Sequence, residues 1–251
     1  MVRVIVTNHN GSRRDVLLLL DSVSYVEALN SALAGTGTVI SASDVHRPIG
    51  SVDVREYELP EFSREYLDGR FDNRQITEPV WWIVKHNARV RTPNFDLIGT
   101  CTIREMPGVL LVEAKAHHEE LETCGKSFNS SSNVENHQKI GESIELANHA
   151  LNAIAPGFNL SRDAFYQVSN RMAWGWRLAS LGVPVTVLYL GFVQDPYWPR
   201  DRFESDEDWM QAARSYLGNV VPVNVLNRRL QCSERGSLLI SAAALPATPP
   251  Q

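Results

Sequence analysis

NFDLIGTCTIREMPGVLLVEAKAH, residues 94–117, is the stretch on which the reading of the fold turns. Side chains alternate between faces along a strand, so Val109, Leu111, Glu113 and Lys115 share one face and Leu110, Val112, Ala114 and Ala116 the other. Both faces are apolar until the last residues, as expected of a central strand covered on both sides, where Glu and Lys are tolerated only when paired. The segment RTPNFDLIGTCTI reads as the partner strand, with the Pro-Gly of REMPG marking the turn. A turn centred near residues 105 and 106 makes paired positions sum to about 211. Asp96 then falls opposite Lys115 and Ile98 opposite Glu113. Asp96 and Glu113 become diagonal neighbours on one face, roughly 7–8 Å apart or less. A one-residue slip would send Asp96 to the other face.

Upstream, TEPVWWIVKHNARV predicts a helix of about ten residues, with Thr77 as N-cap, Glu78 first, Pro79 in the opening turn and Val80, Ile83 and Val84 apolar at helical spacing. Downstream, the polar GKSFNSSSNVENHQ is followed by KIGESIELANHALNAIAPG, a helix closed by Pro156 and Gly157. SRDAFYQVSNRMAWGWRLASLG predicts a second helix with Ser161 as N-cap, Phe165, Val168, Met172, Trp176 and Ala179 on one stripe, and Gly182 as the stop. PVTVLYLGFV reads as a buried strand, and SDEDWMQAARSYLG as a helix whose first-turn acids complement its dipole. The N-terminal part supplies a strand, VRVIVTN, an apolar helix ending at Gly35, and a second short strand, TVISAS. A charged connection from about Ser51 to Gln75 follows. The organisation expected is an N-terminal α/β region over residues 1–70, a main domain over 71–240, and a disordered tail, 241–251.

With 43% hydrophobic and 21% charged residues, the chain has the composition of an ordinary globular protein. MVRVIVTNHNGSRRD lacks the apolar segment of a signal peptide and no run approaches a membrane span, so no membrane partner and a cytoplasmic location are expected. Cys101, Cys124 and Cys232 are odd in number and scattered, which indicates neither a disulfide framework nor a thiolate zinc site. His117, His118, Cys124 and His137 fit no familiar zinc spacing and read better as a polar loop. The net charge of −5 argues against coating nucleic acid by bulk charge, while leaving room for a local basic groove.

Two carboxylates brought together repel when ionised, and one Lys compensates only in part, so a divalent cation suits the set Asp96, Glu113 and Lys115. Mg²⁺, or Mn²⁺ in its place, prefers carboxylate oxygens, water and substrate phosphate. Such a site suits phosphodiester hydrolysis, with Lys115 orienting a water or stabilising developing negative charge. Lys85, Arg89, Arg91 and Arg104 are the basic residues available for phosphate contacts.

Asp96, sixteen intervening residues and Glu113-Ala114-Lys115 in a strand, turn, strand unit resemble the signature of the PD-(D/E)XK nuclease superfamily. Its first motif normally reads Pro-Asp, whereas here Pro93 precedes Asp96 by three positions. The resemblance covers roughly residues 77–193. It implies a restriction-endonuclease-like α/β core, a mixed central sheet with a helix on each face, beside the N-terminal α/β region. It also implies Asp96 and Glu113 as metal ligands, Lys115 as the catalytic lysine, the Ala114 carbonyl as a further ligand, and Glu78 joining from the first helix. Gln167 and Arg171, one helical turn apart, are the candidates to face substrate.

The function expected is metal-dependent nuclease action on DNA, with RNA as an open alternative and a homodimer compatible with cutting two strands. The competing enzyme is a phosphohydrolase of small phosphates. The competing non-enzyme is a nucleic-acid-binding or protein-interaction module that keeps the fold without catalysis. At the level of residues, the competing reading makes Glu113 and Lys115 a solvated pair at an exposed strand end, with Asp96 capping a turn. Trp81, Trp82, Trp174 and Trp176 could stack bases, but their helical spacing places them in a core.

Overall fold

The computed structural model describes residues 10–67, 81–84, 92–128 and 134–247. The elements in chain order are α1 (Gly11–Asp21), α2 (Tyr25–Ala32), β1 (Thr38–Val39), β2 (His46–Arg47), α3 (Leu59–Tyr66), β3 (Leu97–Ile103) and β4 (Met106–Lys115). They continue with α4 (Val134–Ile154), α5 (Tyr166–Ser180), β5 (Val185–Val193), α6 (Asp206–Leu217), β6 (Leu230–Gln231) and β7 (Ser237–Pro246). Thr77, Glu78 and most of the helix expected around them lie outside the described residues. Of that segment Trp82 and Ile83 are buried, Val84 is exposed, and no helix is assigned over 81–84.

The sheet is mixed, in the order β1-β3-β4-β5-β7-β6, with β2 also on β3. β3 and β4 form an antiparallel hairpin, whereas β4, β5 and β7 run parallel. Burial follows the alternation read from the sequence. Val109 and Leu111 join a core with Trp82, Trp174, Val187 and Trp209, while Leu110, Val112, Ala114 and Ala116 join a second core with Val16, Leu29, Leu188 and Leu190. The sheet therefore has helices on both faces: α4, α5 and α6 on the first, α1 and α2 on the second.

Residues 11–47 cover one face of the sheet and extend its β3 side. The stretch expected to be a tail is ordered in its first part, because β7 runs to Pro246 and the Ala247 N–H donates to the Val193 carbonyl at 2.9 Å. Residues 248–251 lie outside the described residues. Among the described residues no helix is long and apolar enough to cross a membrane.

Several boundaries differ from expectation for local reasons. The hairpin turn is Arg104-Glu105, both left-handed at φ 48° and 70°, and Ile103 pairs with Met106. Such a two-residue turn matches the twist of its flanking strands. Pro107-Gly108 thus belongs to β4. A Cβ on Gly108 would lie 2.6 Å from the Ile103 side chain and 2.9 Å from the Pro184 carbonyl, so this glycine serves close packing and not a turn. The expected N-terminal helix is two helices separated by Ser22–Ser24, with Val23 fully exposed. α5 begins at Tyr166 and not after Ser161, because the N–H groups of Phe165 and Tyr166 donate to the carbonyls of Thr123 and Cys124.

Candidate active site

The β3–β4 register pairs Leu97 with Val112, so paired positions sum to 209, two less than expected. An even shift keeps every side chain on its expected face. Extended by one residue, it sets Asp96 opposite Glu113 and no longer opposite Lys115. Asp96 stands just before β3, where its Oδ2 accepts the Ala114 N–H at 2.7 Å.

Glu113 and Lys115 are 2% and 4% exposed, which rules out the solvated pair at a strand end. Lys115 Nζ donates to Glu113 Oε1 at 2.7 Å, and Arg171 Nε donates to Glu113 Oε2 at 2.6 Å. Arg171 comes from the middle of α5. Its Nη1 donates to Asn170 Oδ1 at 2.6 Å and its guanidinium lies 4.6 Å from the Phe95 ring centroid. The residues of the first expectation, Asp96, Glu113 and Lys115, are thus brought together, and Arg171 joins them by direct contact with Glu113.

Other expected residues are placed elsewhere. Gln167, one turn before Arg171, accepts a hydrogen bond from Tyr216 of α6 at 3.4 Å. Arg104 occupies the hairpin turn, at the end of β3 and β4 away from Asp96 and Lys115, so it is not a phosphate contact for this site. Glu78, Lys85, Arg89 and Arg91 lie outside the described residues. Trp82 and Trp174 are fully buried and Trp176 is 8% exposed; Trp81 and Trp82 pack against Trp174 with centroids 4.9 and 5.6 Å away. Trp82, Trp174 and Trp176 are core and Trp81 is half-buried against it, although only Trp174 and Trp176 lie on an assigned helix.

Tyr189 was not anticipated. The parallel register sets it beside Glu113, and its buried hydroxyl has no hydrogen-bond partner among the described residues. A tyrosine hydroxyl in the mostly apolar VTVLYLGFV was the available signal, although the sequence does not fix the register of a parallel pair joined by a long crossover.

The electrostatics separate the two carboxyls. Burial raises Asp96, the neighbouring Glu113 raises it further, and its pKa is pushed up to about 7 despite Lys115 and Arg171. Glu113 is also opposed by burial, but Arg171 and Lys115 more than offset it and hold its pKa below the ordinary value. For Lys115, burial works against the charge while Glu113 and Asp96 outweigh it, so its pKa is raised and the ammonium stays charged. The set is two acids and two cations in one buried network.

A hard divalent cation fits the chemistry of this donor set. An acid raised by burial, and further by its neighbour's charge, is one that such an ion would relieve, through Asp96 and Glu113. Each Glu113 oxygen accepts one hydrogen bond from a cationic side chain, so an ion would take their remaining lone pairs or displace Arg171 or Lys115.

The chain matches no protein-family model, no curated protein and no solved structure.

Proposed function

We propose that this protein is a metal-dependent phosphodiester hydrolase acting on DNA. The observation that carries the reading is the meeting of Asp96, Glu113, Lys115 and Arg171 where β4 ends, on a rigid, doubly covered sheet. Ligand sites in open α/β sheets favour the carboxyl ends of parallel strands, and β4 and β5 both end there.

Asp96 and Glu113 would hold a Mg²⁺ or Mn²⁺ ion, which supplies charge stabilisation at the phosphate and a more acidic bound water. Lys115 stays protonated and stabilises the negative charge that develops on the phosphoryl oxygens, a role distinct from that of a general base. Arg171, on release from Glu113, takes a phosphate oxygen through its fork of donors. Phe95 beneath the guanidinium limits the directions in which it can move.

A second reading rests on the same network. Glu113 is already paired with two cations and Asp96 is bonded to the backbone of β4, and a closed network of this kind can serve as a structural brace in a nucleic-acid-binding module without catalysis. Plasmid, linear and single-stranded DNA, incubated with the protein and Mg²⁺ or Mn²⁺, separate the two. Hydrolysis predicts cleavage that is lost in chelator and in Glu113→Ala. Binding without cleavage, at an affinity indifferent to metal, favours the module, and cleavage that survives Glu113→Ala sinks the assignment of the site.

A further inference from the structure

We propose a second metal site, for a borderline divalent ion such as Zn²⁺, formed by His117, Glu119 and Asp201. It is independent of the hydrolase reading, since none of its ligands belongs to the Asp96–Glu113 set. The ligands come from the two segments that leave neighbouring parallel strands: His117 and Glu119 follow β4, and Asp201 follows β5.

The backbone holds these segments together. His117 and Arg202 form an antiparallel bridge, the His118 N–H donates to the Asp201 carbonyl at 3.0 Å, and the Glu119 N–H donates to Asp201 Oδ2 at 2.9 Å. One ligand atom from each of the three side chains lies within 4.8 Å of the other two. Zinc bonds of about 2.0–2.2 Å set ligand separations of roughly 3–4 Å. Rotation of the exposed Glu119 side chain closes the remaining difference.

The imidazole of His117 supplies an independent pointer to a ligand. It is 7% exposed, stacked on Trp198 with centroids 4.5 Å apart and planes at 13°, yet its Nδ1 has no hydrogen-bond partner among the described residues. That atom faces Asp201 Oδ2 at 3.6 Å. On the other side of the ring, Nε2 stands 3.5 Å from Glu120 Oε1. Glu120 is itself fixed, accepting from Ser12 N–H and Oγ through Oε1 and from the Ala116 N–H through Oε2.

With Glu120 on the Nε2 side of the ring, Nδ1 is the nitrogen that a cation shared with Asp201 would use. A cation between Nδ1 and Asp201 Oδ2 would be held by lone pairs from both sides. The arrangement of a carboxylate behind one ring nitrogen and a metal on the other is the usual way a ligating histidine is oriented. One nitrogen with two carboxylate oxygens suits Zn²⁺ better than the all-oxygen shell that Mg²⁺ and Ca²⁺ prefer. The ion would clasp the loop after β5 to the exit of β4, directly beyond Lys115.

Isothermal titration of the metal-free full chain with Zn²⁺ tests this, comparing wild type with Glu119→Gln, His117→Gln and Glu113→Gln. Glu119 is exposed, so its variant keeps the test intact if the buried His117→Gln fails to fold. Glu113→Gln is expected to keep the His117-dependent Zn²⁺ binding of wild type with similar affinity. Glu119→Gln should weaken that binding about tenfold or more, and folded His117→Gln should abolish it. The site is overturned if wild type binds no Zn²⁺, because a proton alone then occupies the space beside Nδ1. It is equally overturned if Glu119→Gln binds as wild type does, or if Glu113→Gln is the variant that loses the ion.

Discussion

Arg171 Nε and Glu113 Oε2 are 2.6 Å apart across 58 residues of sequence, and both side chains are more than nine-tenths buried. This contact ties α5 to β4 and decides the charge state of the candidate site. Glu113 is ionised because Arg171 and Lys115 outweigh its burial.

Removing Arg171 leaves a buried carboxylate with half of its compensation. Arg171→Leu is expected to cost about 3 kcal/mol, measured by urea unfolding. Glu113→Gln combined with Arg171→Leu should cost clearly less than the sum of the two single changes, since neither charge then remains unpaired. Strict additivity would mean that the pair is not coupled.

A pH dependence is built into the opposite face. Asp15 of α1 is fully buried beside Arg14 and Asp195, and burial, with Asp195 adding to it, raises its pKa from 3.8 to about 7. Between those values the folded protein keeps a proton that the unfolded chain has released. The stabilisation is complete below 3.8 and is lost as pH rises through about 7. Asp15→Asn should therefore make the fall of the urea midpoint with rising pH shallower over that interval. Asp96 contributes a slope of the same sign and remains. Parallel curves for wild type and variant would refute the shift.

Gly191 of β5 pairs with Lys115, and a Cβ there would stand 2.3 to 2.6 Å from the Trp209 indole of α6. Gly191→Ala must displace that fully buried ring. A loss of about 1–3 kcal/mol is expected, with a changed tryptophan emission spectrum. An unchanged spectrum and midpoint would show that α6 does not pack as described.

Lys115→Met keeps an unbranched chain of similar reach and removes the charge. Under the hydrolase reading, single-turnover cleavage should fall about 10²- to 10³-fold. A rate within twofold of wild type would remove Lys115 from the chemistry.

The alternation of 109–116, the strand over 185–193 and the helix over 206–217 were legible, because each is set by local pattern: two apolar faces, a mostly apolar run, and three acids in the first turn. The convergence of Asp96 with Glu113 was legible through parity, which survives a two-residue error in register. The error itself came from Pro107-Gly108, a turn signal with another cause. Arg104 and Glu105 adopt left-handed backbone that neither side chain advertises, and the Arg104 N–H is held by the Gly37 carbonyl. His117 and Asp201 meet through a bridge between two loops, a long-range pairing with no periodicity to reveal it.

The most direct measurement is a crystal structure of the full chain soaked in Mn²⁺, with the ion located by its anomalous scattering. The account predicts an ion bound by the Asp96 and Glu113 carboxylates. No anomalous peak between the two acids at high Mn²⁺ would contradict it.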